Sequence, residues 1–220
     1  MLRAHGLTFV FAVLALALTG GAIATGLALA PGDQALAARD LLTRSDLGSA
    51  WKGGAVKATS APLSCPGYNP KSTAVKTGRA AARFTATGIQ IDDTVAVLAQ
   101  NRMLAPFWKA TYSAGFLPCL KSAFFLQMPP NVAVASAAKV AFPRYGKYTN
   151  AYRIVYETPV ASGRPVIGVY DLVAIGNART QVVLTFKAGL GTATQVTANQ
   201  KALVRAEAKI AYIAAKRAFS

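Results

Sequence analysis

The chain has 220 residues, of which 53% are hydrophobic and 15% are charged, and its formal net charge is +16. This apolar content excludes an intrinsically disordered chain, and the length suits one folded domain. Because Lys and Arg outnumber Asp and Glu by 24 to 8, we expect either an acidic partner or a cationic excess spread over the surface for solubility.

The first 30 residues indicate export. Arg3 and His5 form a short basic head, an uncharged apolar segment follows over 7–18, and small residues at 22–24 offer a cleavage pattern. This order predicts a signal peptide over 1–24. The alternative is an uncleaved membrane anchor that reaches to about residue 30, since no charge interrupts 7–30. Either way, we expect a secreted or extracytoplasmic protein of the cell envelope.

The two cysteines, Cys65 and Cys119, predict a disulfide, because an even pair in an exported chain is typically oxidised. The alternative is a pair of buried free thiols. The cysteines are 54 positions apart, so closing this loop would stabilise the fold by about 4 kcal/mol. The mature chain, residues 33–219, is thus expected to be a single disulfide-stapled domain.

The first half of the mature chain predicts helices around two strands. Asp33 is expected to cap a short helix that ends before Gly48, and the segment 53–78 is predicted to be a loop rich in Gly, Pro, Ser and Lys. Alternating apolar residues predict strands over 80–86 and 94–99, with the pair Asp92-Asp93 at the start of the second. Helices are predicted around Pro106–Tyr112 and over Leu117–Leu126.

The second half predicts an antiparallel meander and a closing helix. The strands are expected over 152–158, 166–175 and 180–187, and the helix over 194–219. If the first turn centres near residues 161–162, Arg153 lies opposite Asp171 and forms a cross-strand ion pair. The predicted fold is α+β, an antiparallel sheet of about five or six strands flanked by helices, with the basic C-terminal helix packed on the sheet.

The sequence offers little catalytic chemistry. The one histidine, His5, lies in the signal segment, which excludes the usual Ser-His-Asp and Cys-His hydrolases and His-rich zinc sites. Asp92 and Asp93 are adjacent on a strand and should point to opposite faces, so we expect a turn or strand-edge role for them rather than a catalytic dyad. We expect no enzyme, no cofactor, no metal and no nucleic-acid partner, although a hydrolase without histidine stays open as a third alternative.

Three groups of residues are candidates for binding. Trp108 and Tyr112, one helical turn apart, could line an apolar groove or belong to the core. A loop before the meander mixes cations with aromatic rings and could contact an anion or simply be solvated; it contains Arg144, Tyr145, Lys147 and Tyr148. The outer stripe of the last helix could bind an anionic surface or simply form the solvent-exposed face of the helix. It contains Lys201, Arg205, Lys209 and Lys216.

Several stretches together resemble a known group of exported domains. They are Leu41-Leu42-Thr43, Asp46-Leu47-Gly48 with Trp51, Leu117-Pro118-Cys119-Leu120, Tyr152-Arg153, Tyr170-Asp171-Leu172-Val173 and Val183-Leu184-Thr185-Phe186. Their order is similar to the PknH-like extracellular sensor domain and to LpqN-type envelope proteins of actinobacteria, which have a PsbP-like fold. The resemblance implies a sheet flanked by helices, a cleft and a binding role. Two features depart from it: this chain can form one disulfide where the sensor domains have two, and it lacks a lipid-attached cysteine.

These observations lead to two functional expectations. The first is a non-catalytic envelope or secreted protein that binds a small apolar or anionic ligand, such as an envelope lipid, in a cleft between sheet and helix. The second is a cationic protein that binds an anionic wall polymer or a membrane surface.

Overall fold

The structure, a computed structural model, describes most of the chain after residue 28. The described ranges are 29–59, 63–72, 74–126, 128–160, 163, 165–192 and 194–220. The signal peptide predicted over 1–24 and the turn expected near 161–162 lie outside them. Within the described ranges, no helix combines the length and the apolar character needed to cross a bilayer.

Helices and strands follow one another in runs along the chain. Their bounds are α1 Pro31–Asp40, α2 Arg44–Leu47, β1 Lys52–Val56, β2 Lys76–Ala86, β3 Ile89–Leu98, a 3-10 turn Asn101–Met103, α3 Leu104–Thr111, α4 Phe116–Leu126, β4 Ala133–Val140, β5 Tyr148–Thr158, β6 Val166–Asn177, β7 Thr180–Gly191 and α5 Val196–Phe219.

The described strands form one antiparallel sheet in the order β1-β2-β3-β7-β6-β5-β4. The predicted α+β class with an antiparallel sheet is therefore confirmed, but the sheet has seven strands rather than five or six. The two strands that the sequence did not predict, β1 and β4, are both edge strands. β1 contains Gly53-Gly54, and β4 is built largely of Ala and Ser, so neither shows the large apolar residues that mark a strand.

Helices cover both faces of the sheet. On one face, α1 and α5 pack on the central strands around a core that includes Phe84, Ile91, Leu184 and Phe186. On the other face, α3 and α4 pack on β5 and β6 through a largely aromatic cluster whose members include Phe107, Trp108, Phe116, Phe124 and Tyr152. Because strand residues alternate between the faces, each of the central strands contributes to both cores.

The pair Asp92-Asp93 lies in the middle of β3 and not at its start, as the sequence had predicted. The two side chains do point to opposite faces. Asp92 pairs with Arg83 on β2, while Asp93 is fully buried and accepts a hydrogen bond of 2.7 Å from the backbone N–H of Leu42. Burial raises the pKa of Asp93 to about 7. Asp93 therefore joins the start of the domain to the sheet.

Asp33 does not cap α1, which corrects the prediction. The helix begins at Pro31 with Ala30 at its N-cap, because proline is preorganised for the first helical position. The Asp33 carboxylate instead accepts hydrogen bonds of 2.8 and 2.6 Å from Arg179 in the β6–β7 turn, and one of 2.5 Å from the hydroxyl of Thr77 on β2. It thereby holds α1 against one end of the sheet.

The predicted disulfide is present. Cys65 and Cys119 are bonded, with their Cα atoms 5.6 Å apart, and the bond ties the segment 63–72 to α4. Tyr68 in the same segment packs on Phe116 and donates a hydrogen bond to the carbonyl of Thr111. The segment 63–72 thus closes over the aromatic core, although it forms almost no regular structure.

We predict that the free energy of unfolding of the double variant Cys65→Ser/Cys119→Ser is about 3–4 kcal/mol lower than that of the native protein. Without the bond, the unfolded chain regains the conformational entropy that a closed loop of this size removes. Denaturant unfolding measured with and without reductant checks this: reductant should shift the midpoint of the native protein and leave that of the variant unchanged. Equal midpoints for the oxidised native protein and the variant would contradict the structural role of the bond.

Candidate functional site

A groove lies at the open edge of β5. The neighbouring antiparallel strand β4 ends at Val140, which pairs with Ala151, so the first three residues of β5 have no partner on β4. The groove beside this unpaired start has a volume of about 440 Å³. Its lining residues are Trp108, Phe142, Arg144, Lys147, Tyr148, Thr149 and Asn150. Of the loop and helix candidates predicted from sequence, Trp108, Arg144, Lys147 and Tyr148 are therefore brought together.

Two glycines allow the walls of the groove to approach the sheet. A Cβ atom on Gly176 would lie 2.8 Å from the indole ring of Trp108, and one on Gly146 would lie 2.8 Å from the carbonyl oxygen of Gly176. Larger residues would push the helix side chain and the β4–β5 loop away from the strands. Gly146 and Gly176 thus fix how closely the two walls face each other.

Stacked aromatic rings form one wall. Trp108, only 8% exposed, stacks on Tyr148 with ring centroids 5.4 Å apart. On its other side it contacts Tyr112 at 4.5 Å. Tyr112 itself does not line the groove: it packs among core rings, and its hydroxyl accepts a hydrogen bond of 2.6 Å from Gln181. Of the two alternatives for Tyr112, a groove position and a core position, the structure places it in the core, in contact with Trp108.

The other wall is cationic. Arg144 donates hydrogen bonds to the carbonyl oxygens of Gly146 and Lys147, which hold the β4–β5 loop in its curve. The ammonium group of Lys147 lies 5.7 Å from the ring centroid of Tyr148. None of the lining residues is acidic. In the part of the chain that the structure describes, the buried hydroxyl of Thr149 has no hydrogen-bond partner. The hydroxyl is buried away from the groove, so the groove offers an incoming anion the positive charge of Arg144 and Lys147.

Tyr145, the remaining loop candidate, turns away from the groove. Its ring packs edge-on against Phe142 at 6.1 Å and against Tyr212 of α5 at 5.8 Å. Tyr145 therefore connects the groove loop to the last helix, a link that the sequence did not suggest.

A buried ionic cluster lies beneath the same loop. Arg153 on β5 and Asp171 on β6 are register partners, and the guanidinium donates three hydrogen bonds of 2.5–3.0 Å to both carboxylate oxygens. A second carboxyl joins them, because Glu207 of α5 lies 3.3 Å from Arg153. One cation therefore faces two carboxyl groups where the helix meets the sheet.

The burial of Glu207 in this cluster is a feature that the sequence did not predict. The residue is 2% exposed, and burial together with the neighbouring Asp171 raises its pKa, so the carboxyl is protonated near neutral pH. Its Oε1 atom has no hydrogen-bond partner among the described residues, and it borders a cavity of about 50 Å³ that Phe142 also lines. Glu207 lies on the inner face of α5 at i+4 from Leu203, a spacing that could have revealed it.

The predicted outer stripe of α5 is exposed at every position. Lys201, Arg205, Lys209 and Lys216 all lie on the solvent side of the helix, away from the inner residues Leu203 and Ile210. The described residues contain no group of three potential metal ligands.

The comparisons with known proteins add no identity. No protein-family model matches the chain, and no curated protein matches its sequence. The resemblance to exported sensor and envelope domains therefore stays a prediction.

We predict that Arg153→Met lowers the free energy of unfolding by about 3–5 kcal/mol, because it leaves Asp171 buried without its partner. Glu207→Gln should cost less than about 1 kcal/mol, since its carboxyl is already neutral at pH 7 and the amide has nearly the same shape. Denaturant unfolding of both variants at pH 7 compares them. A loss for Glu207→Gln as large as for Arg153→Met would show that Glu207 is ionised in the fold.

Proposed function

We propose that the protein is an exported, non-catalytic envelope or secreted protein whose groove at the start of β5 binds a small ligand with an anionic group and a flat or apolar body. The observation that supports this most strongly is the composition of the groove. Two cations, Arg144 and Lys147, face two stacked rings, Trp108 and Tyr148, and no acidic side chain is among the lining residues.

The anionic part of the ligand follows from charge and hydrogen bonding. An anion in the groove would be attracted by Lys147 and Arg144 and could accept charge-assisted hydrogen bonds from them.

The flat or apolar part follows from the aromatic wall. Pocket aromatic rings contribute large contact areas at little conformational cost, and the glycines at 146 and 176 keep the wall close to the sheet. The groove is open to solvent, and its volume of about 440 Å³ suits a small ligand that is only partly buried.

Two further observations support export and the absence of catalysis. The Cys65–Cys119 disulfide is typical of an oxidising compartment. Among the groove residues there is no carboxylate, imidazole or thiol that could serve as a general base.

The proposal predicts that anilinonaphthalene sulfonate, which joins flat rings to a sulfonate, binds at the groove and quenches the fluorescence of Trp108. The neutral analogue N-phenyl-1-naphthylamine should bind several-fold more weakly, because it lacks the anion. Lys147→Gln should weaken sulfonate binding by about fivefold, the effect of one charge-assisted contact, and should leave the neutral analogue unaffected. Fluorescence titration in a Trp51→Phe background measures both.

The matched control is Lys121→Gln, which removes an exposed lysine from α4 on another part of the surface. It should leave both titrations unchanged. Equal affinity for the charged and neutral probes, or equal loss in the two lysine variants, would contradict an anion site in the groove.

A further inference from the structure

The outer face of α5 forms a straight row of positive charge with an aromatic ring in it. Four cationic residues and Tyr212 lie within an arc of about 80° around the helix and extend over about 22 Å of its length. We call this row the basic face; its residues are Lys201, Arg205, Lys209, Tyr212 and Lys216.

The basic face has no counter-charge of its own. α5 contains a single acidic residue, Glu207, and that side chain is buried against Arg153 on the inner side. Within the described ranges, every ion pair uses an arginine away from the basic face, and no lysine lies within 4.0 Å of a carboxylate oxygen. A helix that is merely solvated usually mixes both signs of charge, as in Glu–Lys pairs at i,i+4.

The spacing of the cations adds a local cost. Lys201, Arg205 and Lys209 follow one another at i,i+4, where like charges repel and destabilise a helix. An anionic surface laid along the helix would relieve this repulsion at all three positions. The charge pattern therefore points to a partner of opposite charge.

Exposed apolar groups distinguish between two kinds of anionic partner. The Tyr212 ring is 54% exposed between Lys209 and Lys216, and Val204, 40% exposed, lies about two turns earlier on the flank of the helix. Tyr212 is supported from beneath by Tyr145 at 5.8 Å. An acidic polymer offers charge alone, whereas the headgroup region of a bilayer also accepts tyrosine rings and aliphatic side chains.

We infer that the basic face docks the protein, with α5 parallel to the surface, onto a lipid bilayer that contains anionic headgroups. The cations contact the headgroups, and the Tyr212 ring enters the interface between headgroups and acyl chains. This surface is separate from the groove, and its occupation does not require a ligand there.

The test is co-sedimentation of the exported protein with vesicles. One set contains phosphatidylcholine with about 30 mol% phosphatidylglycerol, and the other contains phosphatidylcholine alone. We expect binding to the anionic vesicles that weakens with added salt, and no more than trace binding to the neutral ones. Binding to neither set, or equal binding to both, would overturn the inference.

Two quadruple variants with the same net charge then locate the binding surface. Replacing the four cations of the basic face by Gln should reduce vesicle binding by about a hundredfold or more, since each cation contributes roughly fivefold near an anionic membrane. The control replaces four exposed lysines elsewhere by Gln, at positions Lys52, Lys57, Lys71 and Lys121. It should reduce binding only slightly, and an equal loss in both variants would overturn the assignment to α5.

Tyr212→Ser separates a bilayer from an acidic polymer. It should weaken vesicle binding about threefold through the loss of apolar contact, and it should leave binding to soluble polyglutamate unchanged. Tight polyglutamate binding together with no effect of Tyr212→Ser on the vesicles would assign the basic face to a polymer instead. Lys147→Gln should bind vesicles like the native protein, so failure of the groove proposal leaves this result intact.

Discussion

The contact on which the rest of the account depends is the burial of Glu207 against the Arg153–Asp171 pair. A carboxyl group enters a protein interior only when it is neutral or paired, and here the inner face of α5 brings it to a guanidinium already shared with Asp171. With Leu203 and Ile210 buried on either side, this contact fixes the rotation of the helix. The only acid of α5 faces inward, and the outward face is left with cations alone.

The rotation of α5 also sets the position of the β4–β5 loop. Tyr145 of the loop packs on Tyr212 of the helix, while Phe142 lines both the small cavity near Glu207 and the open groove. The same loop carries Arg144 and Lys147 into the groove. The two proposed binding surfaces thus differ in chemistry, but both depend on how α5 packs against the sheet and the β4–β5 loop. A change in the position of α5 would alter both.

Much of the fold could be predicted because its signals are local. Alternating apolar residues marked the central strands. Arg153 and Asp171 lie at almost equal distances on either side of the expected turn, which placed them in register. The two cysteines had only each other as partners. The edge strands β1 and β4 escaped prediction because edge pairing is decided by the neighbouring strand and not by their own small residues. Asp33 was misassigned because a salt bridge to Arg179, 146 positions away, outweighs a local cap.

The candidate site was predictable in its residues but not in its geometry. Trp108 and Tyr148 come from distant segments, and their stacking depends on a tertiary contact for which Gly176 leaves room beside the Trp108 ring. Tyr112, one turn from Trp108, looked equivalent in sequence but lies in the core. Burial of Glu207 depends on the long-range approach of α5 to β5. Such tertiary contacts produce little local sequence pattern from which they could be predicted.

The pH titration of the Glu207 side-chain carboxyl, followed by its ¹³C chemical shift in solution NMR, tests the central claim most directly. Because the group is buried beside Asp171, its shift should remain that of a protonated carboxyl through pH 7 and change only above it. A midpoint near the ordinary glutamate value of about 4.3 would show a solvated, ionised side chain. The helix would then have a different rotation. The orientation of the basic face and the position of the β4–β5 loop would both be wrong.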